Sequence, residues 1–176
     1  GRYSASKGIL GLRKAMACYY GRRFGVPLAP ANEVIATLGS KEGFANLANA
    51  LTAPGDVIIC PNPAYPIHAY GFIMAGGVIR HVPALSPEEY LAGISRAVKH
   101  SAPPPSVVIV SYPSNPTAQW VDVDFYKEVI ALAKKHEMLV LSDIADSEIY
   151  FENNPPPSIL QVEGARDIAV EVNSLS

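Results

Sequence analysis

The segment Leu139–Ser147, LVLSDIADS, begins with three apolar residues and reaches an aspartate, Asp143, after a single serine. A short continuous apolar run is typical of a strand that is buried on both faces of a parallel sheet. In open α/β sheets, ligands bind at the carboxyl ends of the strands, which is where this strand would place Asp143. A carboxylate at that position could serve a cationic ring, a metal ion or a ribose hydroxyl.

The composition is that of a globular protein. The chain has 176 residues, of which 49% are hydrophobic and 17% are charged. A net charge of −2 without a long basic run argues against a nucleic-acid or membrane-surface protein. No signal peptide or membrane-length apolar run is visible, so we expect a cytoplasmic protein. Cys18 and Cys60 lack C-x-x-C spacing, and their apolar surroundings predict reduced, buried thiols.

Helical periodicity alternates with short apolar runs along the whole chain. Strands are predicted at Glu33–Leu38, Val57–Cys60, Val78–Val82, Val107–Ser111, Leu139–Leu141 and Ile168–Val172. Helices are predicted over 8–24, from Phe44 to Leu51, from the Pro61–Pro66 loop to about Gly76, over Pro87–His100, and from a cap at Asp122 or Asp124 to His136. This order predicts an α/β fold of three αβα layers around a mostly parallel sheet.

Ser40 and Lys41 stand where a predicted strand passes into a helix. The start of a helix offers backbone N–H groups and the positive end of a dipole, which together favour an anion. An ordinary serine N-cap beside a solvated lysine explains the same residues. The segment is not a Walker A loop, because the glycine-rich spacer is absent.

Two further residues follow predicted strands. Tyr65 lies between prolines, where a rigid ring could stack on a planar ligand or simply pack in the core. Asn115 lies in an Asn-Pro pair, which also suits a plain structural turn. Glu148 could join Asp143 as a metal ligand, but the histidines show no ligand spacing around them, so we expect no metal site.

The order of these groups is more informative than any one of them. Four strand ends would deliver partners for one ligand that is anionic, aromatic and cationic in different parts. Pyridoxal phosphate has this character: a phosphate for Ser40 and Lys41, a ring for Tyr65, a phenolic oxygen for Asn115 and a pyridinium nitrogen for Asp143.

The same segments carry a family resemblance over essentially the whole chain. They are YSASKGILGLR, LGSKEGFANLANAL, PGDVIICPNPAYPIHAYG, SYPSNPTAQWVDVDFY, LSDIADSEIYF and PSILQVEGARDIAVEVNSLS. In this order they resemble the large domain of a fold-type I, pyridoxal-phosphate-dependent aminotransferase of class I/II, in the LL-diaminopimelate and alanine aminotransferase branch. The resemblance implies amino-group transfer between an amino acid and a 2-oxo acid by a homodimer.

The resemblance also implies roles for individual residues. Asp143 would keep the ring nitrogen protonated, and Tyr65, Asn115, Ser40 and Lys41 would hold the ring, its phenolic oxygen and the phosphate, as above. Three more positions match cofactor-binding residues of the family: Tyr3, which would reach the phosphate of the neighbouring subunit, and Ser174 and Ser176 of an S-x-S-K motif.

Several departures from the family pattern accompany the resemblance. Residue 146 is Asp146 where the family has a tyrosine that donates to the phenolic oxygen, and an ionised carboxylate there would repel that oxygen. Val172-Asn173 replaces an aromatic-histidine pair. The Schiff-base lysine of the family would follow Ser176, and the N-terminal arm and small domain have no counterpart in these residues. We therefore expect residues 1–176 to be an incomplete large domain that is inactive alone.

Three alternatives stay open at this point. A degenerate homologue could bind the cofactor weakly, or only pack against a partner, which Asp146 favours. Another fold-type I reaction, such as a lyase or decarboxylase, could use the same cofactor. A nucleotide-binding Rossmann domain is disfavoured because no G-x-G-x-x-G follows the first strand.

Overall fold

The computed structural model describes residues 10–34, 40–63, 67–112, 121–144 and 156–173. Its helices are α1 (Leu10–Phe24), α2 (Ser40–Leu51), α3 (Ile67–Met74), α4 (Pro87–His100) and α5 (Val123–Lys135). Its strands are β1 (Val57–Asn62), β2 (Val78–Pro83), β3 (Pro105–Ser111), β4 (Leu139–Asp143) and β5 (Ala169–Val172). Two single 3₁₀ turns, Ile159–Gln161 and Ala165–Asp167, precede β5.

The strands form one sheet in the order β2-β1-β3-β4-β5, and all four strand pairs are parallel. This confirms the predicted α/β class and the parallel sheet. Because β2 and β3 lie on opposite sides of β1, the direction of winding reverses between β1 and β3. The carboxyl ends of the strands beside such a switch point border a crevice in which ligands bind.

Helices cover both faces of the sheet. On one face, Ile58, Cys60, Ile109 and Leu141 pack in one buried cluster with residues of α2 and α3. On the other face, buried residues that alternate with these along the strands pack against α4 and α5: Ile59, Val108, Val110 and Val140. The continuous apolar runs of the sequence therefore fill two separate halves of the core, as a doubly covered parallel sheet requires.

Side-chain caps set the N-terminal ends of two helices. The Ser86 hydroxyl caps α4 by accepting from the Glu89 backbone N–H over 3.1 Å. The Asp122 carboxylate caps α5 by accepting from the Phe125 backbone N–H over 2.9 Å. Asp122 is thus the cap, and Asp124 lies in the first helical turn, which resolves the alternative that the sequence left open.

Two local predictions are wrong: the start of one predicted strand and the burial of one cysteine. Glu33 lies in a turn, where its backbone N–H donates to the Ala29 carbonyl and its carboxylate accepts from the Ala29 N–H, each over 2.8 Å. These two bonds close the chain on itself where a strand was predicted, and residues 35–38 lie outside the described part. Cys18 is exposed, whereas Cys60 is buried, and both thiols are unbridged. Helix α1 buries Tyr20 and Phe24. Cys18 lies two positions before Tyr20, which places it on the opposite, solvent-facing side of the helix.

Candidate functional site

Asp143 is the last residue of β4, at the carboxyl edge of the sheet. It stands in register with Ser111 of β3 and Val172 of β5. Its side chain is on the face covered by α2 and α3, because Leu141 and Val172 of the same alternation belong to that cluster. The side chain is 14% exposed, so the carboxylate is largely withdrawn from water yet reachable. The sequence-based placement of Asp143 at a strand end is confirmed.

His68, the second residue of α3, holds Asp143. Its Nε2 lies 2.8 Å from Oδ2 of Asp143, and its side chain is only 1% exposed. Since an ionised carboxylate only accepts hydrogen bonds, Nε2 carries the proton and donates. Such a bond fixes the position of the carboxylate. Helix α3 starts shortly after the end of β1, which is how the imidazole reaches this edge of the sheet.

This role of His68 was not predicted from the sequence, where the histidines were weighed only as metal ligands. The available signal was its position in the first turn of a helix that directly follows a buried strand. A polar residue there comes to the same edge as the end of β4. Within the described residues, no group of three or more His, Cys, Asp or Glu side chains is placed to hold a metal ion.

Helix α2 lies beside this pair. Phe44, one turn from the helix start, packs its ring on the His68 ring, with the centroids 5.0 Å apart and the planes at 39°. The helix begins at Ser40, so the N-terminal N–H groups that favour an anion lie about one 5.4 Å turn from that contact. The side chains of Ser40 and Lys41 lie outside the described part, and their predicted phosphate contacts stay predictions.

Helices α2 and α3 approach each other closely at Gly71. A Cβ added there would lie 3.2 Å from the Ala48 Cβ and 3.3 Å from the Ala45 Cα. Small residues on both helices therefore set the distance between them. Because α3 carries His68, this packing also sets where His68 lies relative to the start of α2.

The other predicted site residues lie outside the described part of the chain. These are Tyr3, Tyr65, Asn115, Asp146, Ser174 and Ser176. Among the predicted cofactor-binding residues, the structure therefore describes the side chain of Asp143 and the backbone of Ser40 and Lys41.

A second polar cluster lies on the opposite face of the sheet. The carboxylate of Glu171 in β5 accepts hydrogen bonds from Tyr20 and Ser158 through Oε1, over 2.8 and 2.6 Å. Oε2 accepts from the Ser142 hydroxyl and the Ile159 backbone N–H, each over 3.2 Å. Burial raises the pKa of Glu171, although the donors act in the opposite direction. This cluster joins α1, β4, β5 and the first 3₁₀ turn.

Two other features are separate from Asp143. Burial raises the pKa of the Cys60 thiol to about 12, so it is protonated at neutral pH and does not supply a nucleophile. A surface cavity of about 510 Å³ is lined by segments 24–27 and 160–164 with Arg166 and Asp167, and its lining includes neither Asp143 nor His68. The His68–Asp143 pair is therefore separate from this cavity.

Comparison with known proteins gives a consistent result. The family model for aminotransferase class I and II matches residues 1–176. The chain is 63% identical over 175 residues to the putative aminotransferase AatC of Rhizobium meliloti, covering 99% of this chain and 43% of that protein. It is 45% identical to the glutamate-pyruvate aminotransferase AlaC of Escherichia coli, covering 99% of this chain and 42% of that protein. It is 42% identical to the LL-diaminopimelate aminotransferase of Aquifex aeolicus, covering 99% of this chain and 45% of that protein.

Solved structures agree. The fold matches substrate-bound BacF from Bacillus subtilis with a TM-score of 0.90 and 31% identity, covering 97% of this chain and 43% of that one. It matches an aminotransferase from Staphylococcus aureus with a TM-score of 0.88 and 28% identity, covering 97% and 45%. The chain thus spans less than half the length of the proteins it matches. Within the described ranges, no helix has the length and apolar character needed to cross a membrane.

Proposed function

Because the chain belongs to the class I and II aminotransferase family, we propose that it forms the cofactor-binding part of a pyridoxal-phosphate-dependent aminotransferase. The observation that carries the proposal is the His68–Asp143 pair at the carboxyl edge of the sheet. A carboxylate held by a buried imidazole is suited to a cationic ring nitrogen. The parent reaction would move an amino group between an amino acid and a 2-oxo acid.

The described residues fit this cofactor. A pyridinium nitrogen needs a carboxylate acceptor that is held in place, and the 2.8 Å hydrogen bond to His68 holds Asp143 at the sheet edge. A phosphate needs N–H donors and positive potential, which the start of α2 offers close to the same pair. When bound, pyridoxal phosphate supplies a ring that accepts an electron pair from the substrate.

In this proposal each predicted site residue binds one part of the cofactor or positions a residue that does. Asp143 holds the proton on the ring nitrogen, and His68 holds Asp143 in place. Ser40 and Lys41 bind the phosphate with the start of α2, while Tyr65 and Asn115 bind the ring and its phenolic oxygen. Tyr3, Ser174 and Ser176 complete the phosphate site, with Tyr3 acting across a homodimer. We further propose that residues 1–176 belong to the large domain and that the protein is cytoplasmic.

A cofactor titration tests the proposal. Pyridoxal phosphate is added to the chain and to an Asp143→Asn variant, and binding is followed by its absorbance. Loss of a charge-assisted bond predicts an affinity roughly tenfold lower or worse for Asp143→Asn. Asp124→Asn is the matched control, because Asp124 is 84% exposed on α5. Binding to the parent chain that Asp143→Asn leaves unchanged would overturn the assignment of Asp143.

Covalent trapping tests the role of Lys41. The family resemblance places the covalent lysine beyond Ser176, so no lysine within these residues is assigned to it. Borohydride reduction with the cofactor, followed by peptide mass spectrometry, should give no lysine whose labelling depends on Asp143. Stoichiometric labelling of Lys41 that Asp143→Asn abolishes would show that Lys41 does not act as a phosphate ligand.

Asp146 favours a second candidate function, a homologue that binds the cofactor weakly without catalysis. Its carboxylate would repel the phenolic oxygen that the family's tyrosine binds. Asp146→Tyr should therefore tighten cofactor binding, and Asp146→Asn separates loss of repulsion from gain of a donor. Parent-chain affinity equal to that of Asp146→Tyr would remove the support for this candidate.

A further inference from the structure

Phe44 forms one wall of the His68 ring. Both side chains are 1% exposed, and their ring centroids are 5.0 Å apart at an angle of 39°. The terminal torsion of a histidine has broad energy wells, so the imidazole plane is set mainly by what packs against it. In contrast, the bond from Nε2 to Asp143 is directional and weakens steeply when the donor turns away. The contact with Phe44 therefore bears on the geometry of that bond.

The position of Phe44 in the fold makes it more than a core residue. It lies on α2, one turn from the helix start, whereas His68 lies in the first turn of α3. The close approach of Gly71 to Ala48 and Ala45 leaves little room for the two helices to move closer together at this crossing. A shift of α2 would consequently move the phenyl ring against the imidazole.

We propose that Phe44 is a positioning residue that acts through His68 to orient Asp143, and so couples the start of α2 to the carboxylate at the end of β4. The inference rests on the proposed cofactor site for its functional meaning. In this proposal the phosphate-binding end of α2 and the ring-nitrogen carboxylate keep a fixed position relative to each other through Phe44 and His68. Phe44 itself touches neither end of that ligand in this account.

Solvent exchange of the His68 Nε2 proton measures the effect without any cofactor. The proton is observed in ¹⁵N-labelled chain as a far-downfield imidazole resonance and is assigned by its loss in His68→Gln. His81 and His100 are exposed and His136 is partly exposed, so the buried His68 is the histidine expected to exchange slowly. Phe44→Leu should speed this exchange about tenfold or more, because the imidazole loses its flat wall.

Two variants separate positioning from general core damage. Ile58→Ala removes volume from the same cluster at the amino end of β1, far along the strand from the site. It should lower thermal stability as Phe44→Leu does while leaving the His68 exchange near the parent rate. Phe44→Tyr retains an aromatic ring and should restore slow exchange. Equal acceleration in Phe44→Leu and Ile58→Ala, or no rescue by Phe44→Tyr, would overturn the proposal.

Cofactor affinity in the same variants gives the functional readout. Phe44→Leu should weaken pyridoxal phosphate binding several-fold, about 3- to 10-fold, and Ile58→Ala should not. A parent chain that binds no cofactor would contradict the proposed function, while the exchange comparison would still decide the positioning role. Unchanged affinity in Phe44→Leu, with the parent chain binding normally, would contradict the coupling of α2 to Asp143.

Discussion

The phenol of Tyr20 in α1 donates a hydrogen bond to Oε1 of Glu171 in β5 over 2.8 Å, joining residues that are 151 positions apart. Burial and the neighbouring Glu171 raise the pKa of Tyr20, so the phenol stays protonated and able to donate. The other donors to Glu171 come from β4 and from the turn before β5. One carboxylate thus ties the N-terminal helix to the part of the sheet that carries Asp143.

Removing this carboxylate should be costly. Glu171→Ala leaves the donors from Tyr20, Ser142, Ser158 and Ile159 without their acceptor and opens a buried space. We expect the free energy of unfolding to fall by about 3–5 kcal/mol, measured by urea denaturation. Glu163→Ala, at an exposed position, is the control and should change it by less than about 0.5 kcal/mol. Similar small losses in both variants would show that the cluster does not stabilise the fold.

The same group predicts a pH dependence. Because burial raises the pKa of Glu171, the folded chain binds this proton more tightly than the unfolded chain does. The stability that it contributes is fully present below the unfolded-state pKa of about 4.3 and is lost as the pH rises through the folded-state pKa. The parent chain should therefore lose stability relative to Glu171→Gln as the pH rises from about 4.

Denaturation of both proteins at a series of pH values measures that difference, and the other titrating groups cancel in the comparison. The loss of hydrogen bonds in Glu171→Gln adds a constant offset rather than a slope. A difference that stays flat, or that grows with pH in favour of the parent chain, would mean that hydrogen bonding outweighs burial at this carboxyl group.

Helix α5 offers a direct test of a helix cap. Asp122→Ala removes the acceptor for the Phe125 N–H and should lower the free energy of unfolding by about 1 kcal/mol. Asp124→Ala is the natural control, since the exposed Asp124 pairs with Lys127 over 3.7 Å and should contribute a few tenths of a kcal/mol. A larger effect at Asp124, measured by thermal or urea unfolding, would reverse the assignment of the cap.

The fold was predictable because its strands are covered on both faces. Their apolar runs, such as the one that leads to Asp143, are typical of a parallel sheet with helices on both sides, which is the arrangement found. The strand end, and with it the position of Asp143, followed from the same run. The turn at Glu33 escaped prediction because the bond between the Glu33 carboxylate and the Ala29 backbone N–H is not visible in the apolar pattern from which a strand was predicted.

The partners of these groups could not be predicted in the same way. His68 and Asp143 are 75 positions apart, and their contact depends on how α3 docks on the sheet. The role of Glu171 could not be predicted either, because a single charged residue in a short strand usually faces solvent. Its burial depends on Tyr20 and Ser158, whose approach is set by the packing of α1 and the 3₁₀ turn. Pairwise contacts between distant elements are a property of the tertiary structure.

Gly71 provides the sharpest test of how the two site helices are held. An alanine Cβ at this position would lie 3.2 Å from the Ala48 Cβ and 3.3 Å from the Ala45 Cα, so α2 and α3 would have to separate by a few tenths of an ångström. Overpacking of this kind should lower the free energy of unfolding by about 1–3 kcal/mol. Gly21→Ala in α1 is the control, because a Cβ there meets nothing within 4 Å. It should raise stability by about 0.5–1 kcal/mol through higher helix propensity. The change in the free energy of unfolding, measured by urea denaturation, should therefore have opposite signs in Gly71→Ala and Gly21→Ala. A stabilising Gly71→Ala would show that the spacing between the helices is not fixed at this crossing.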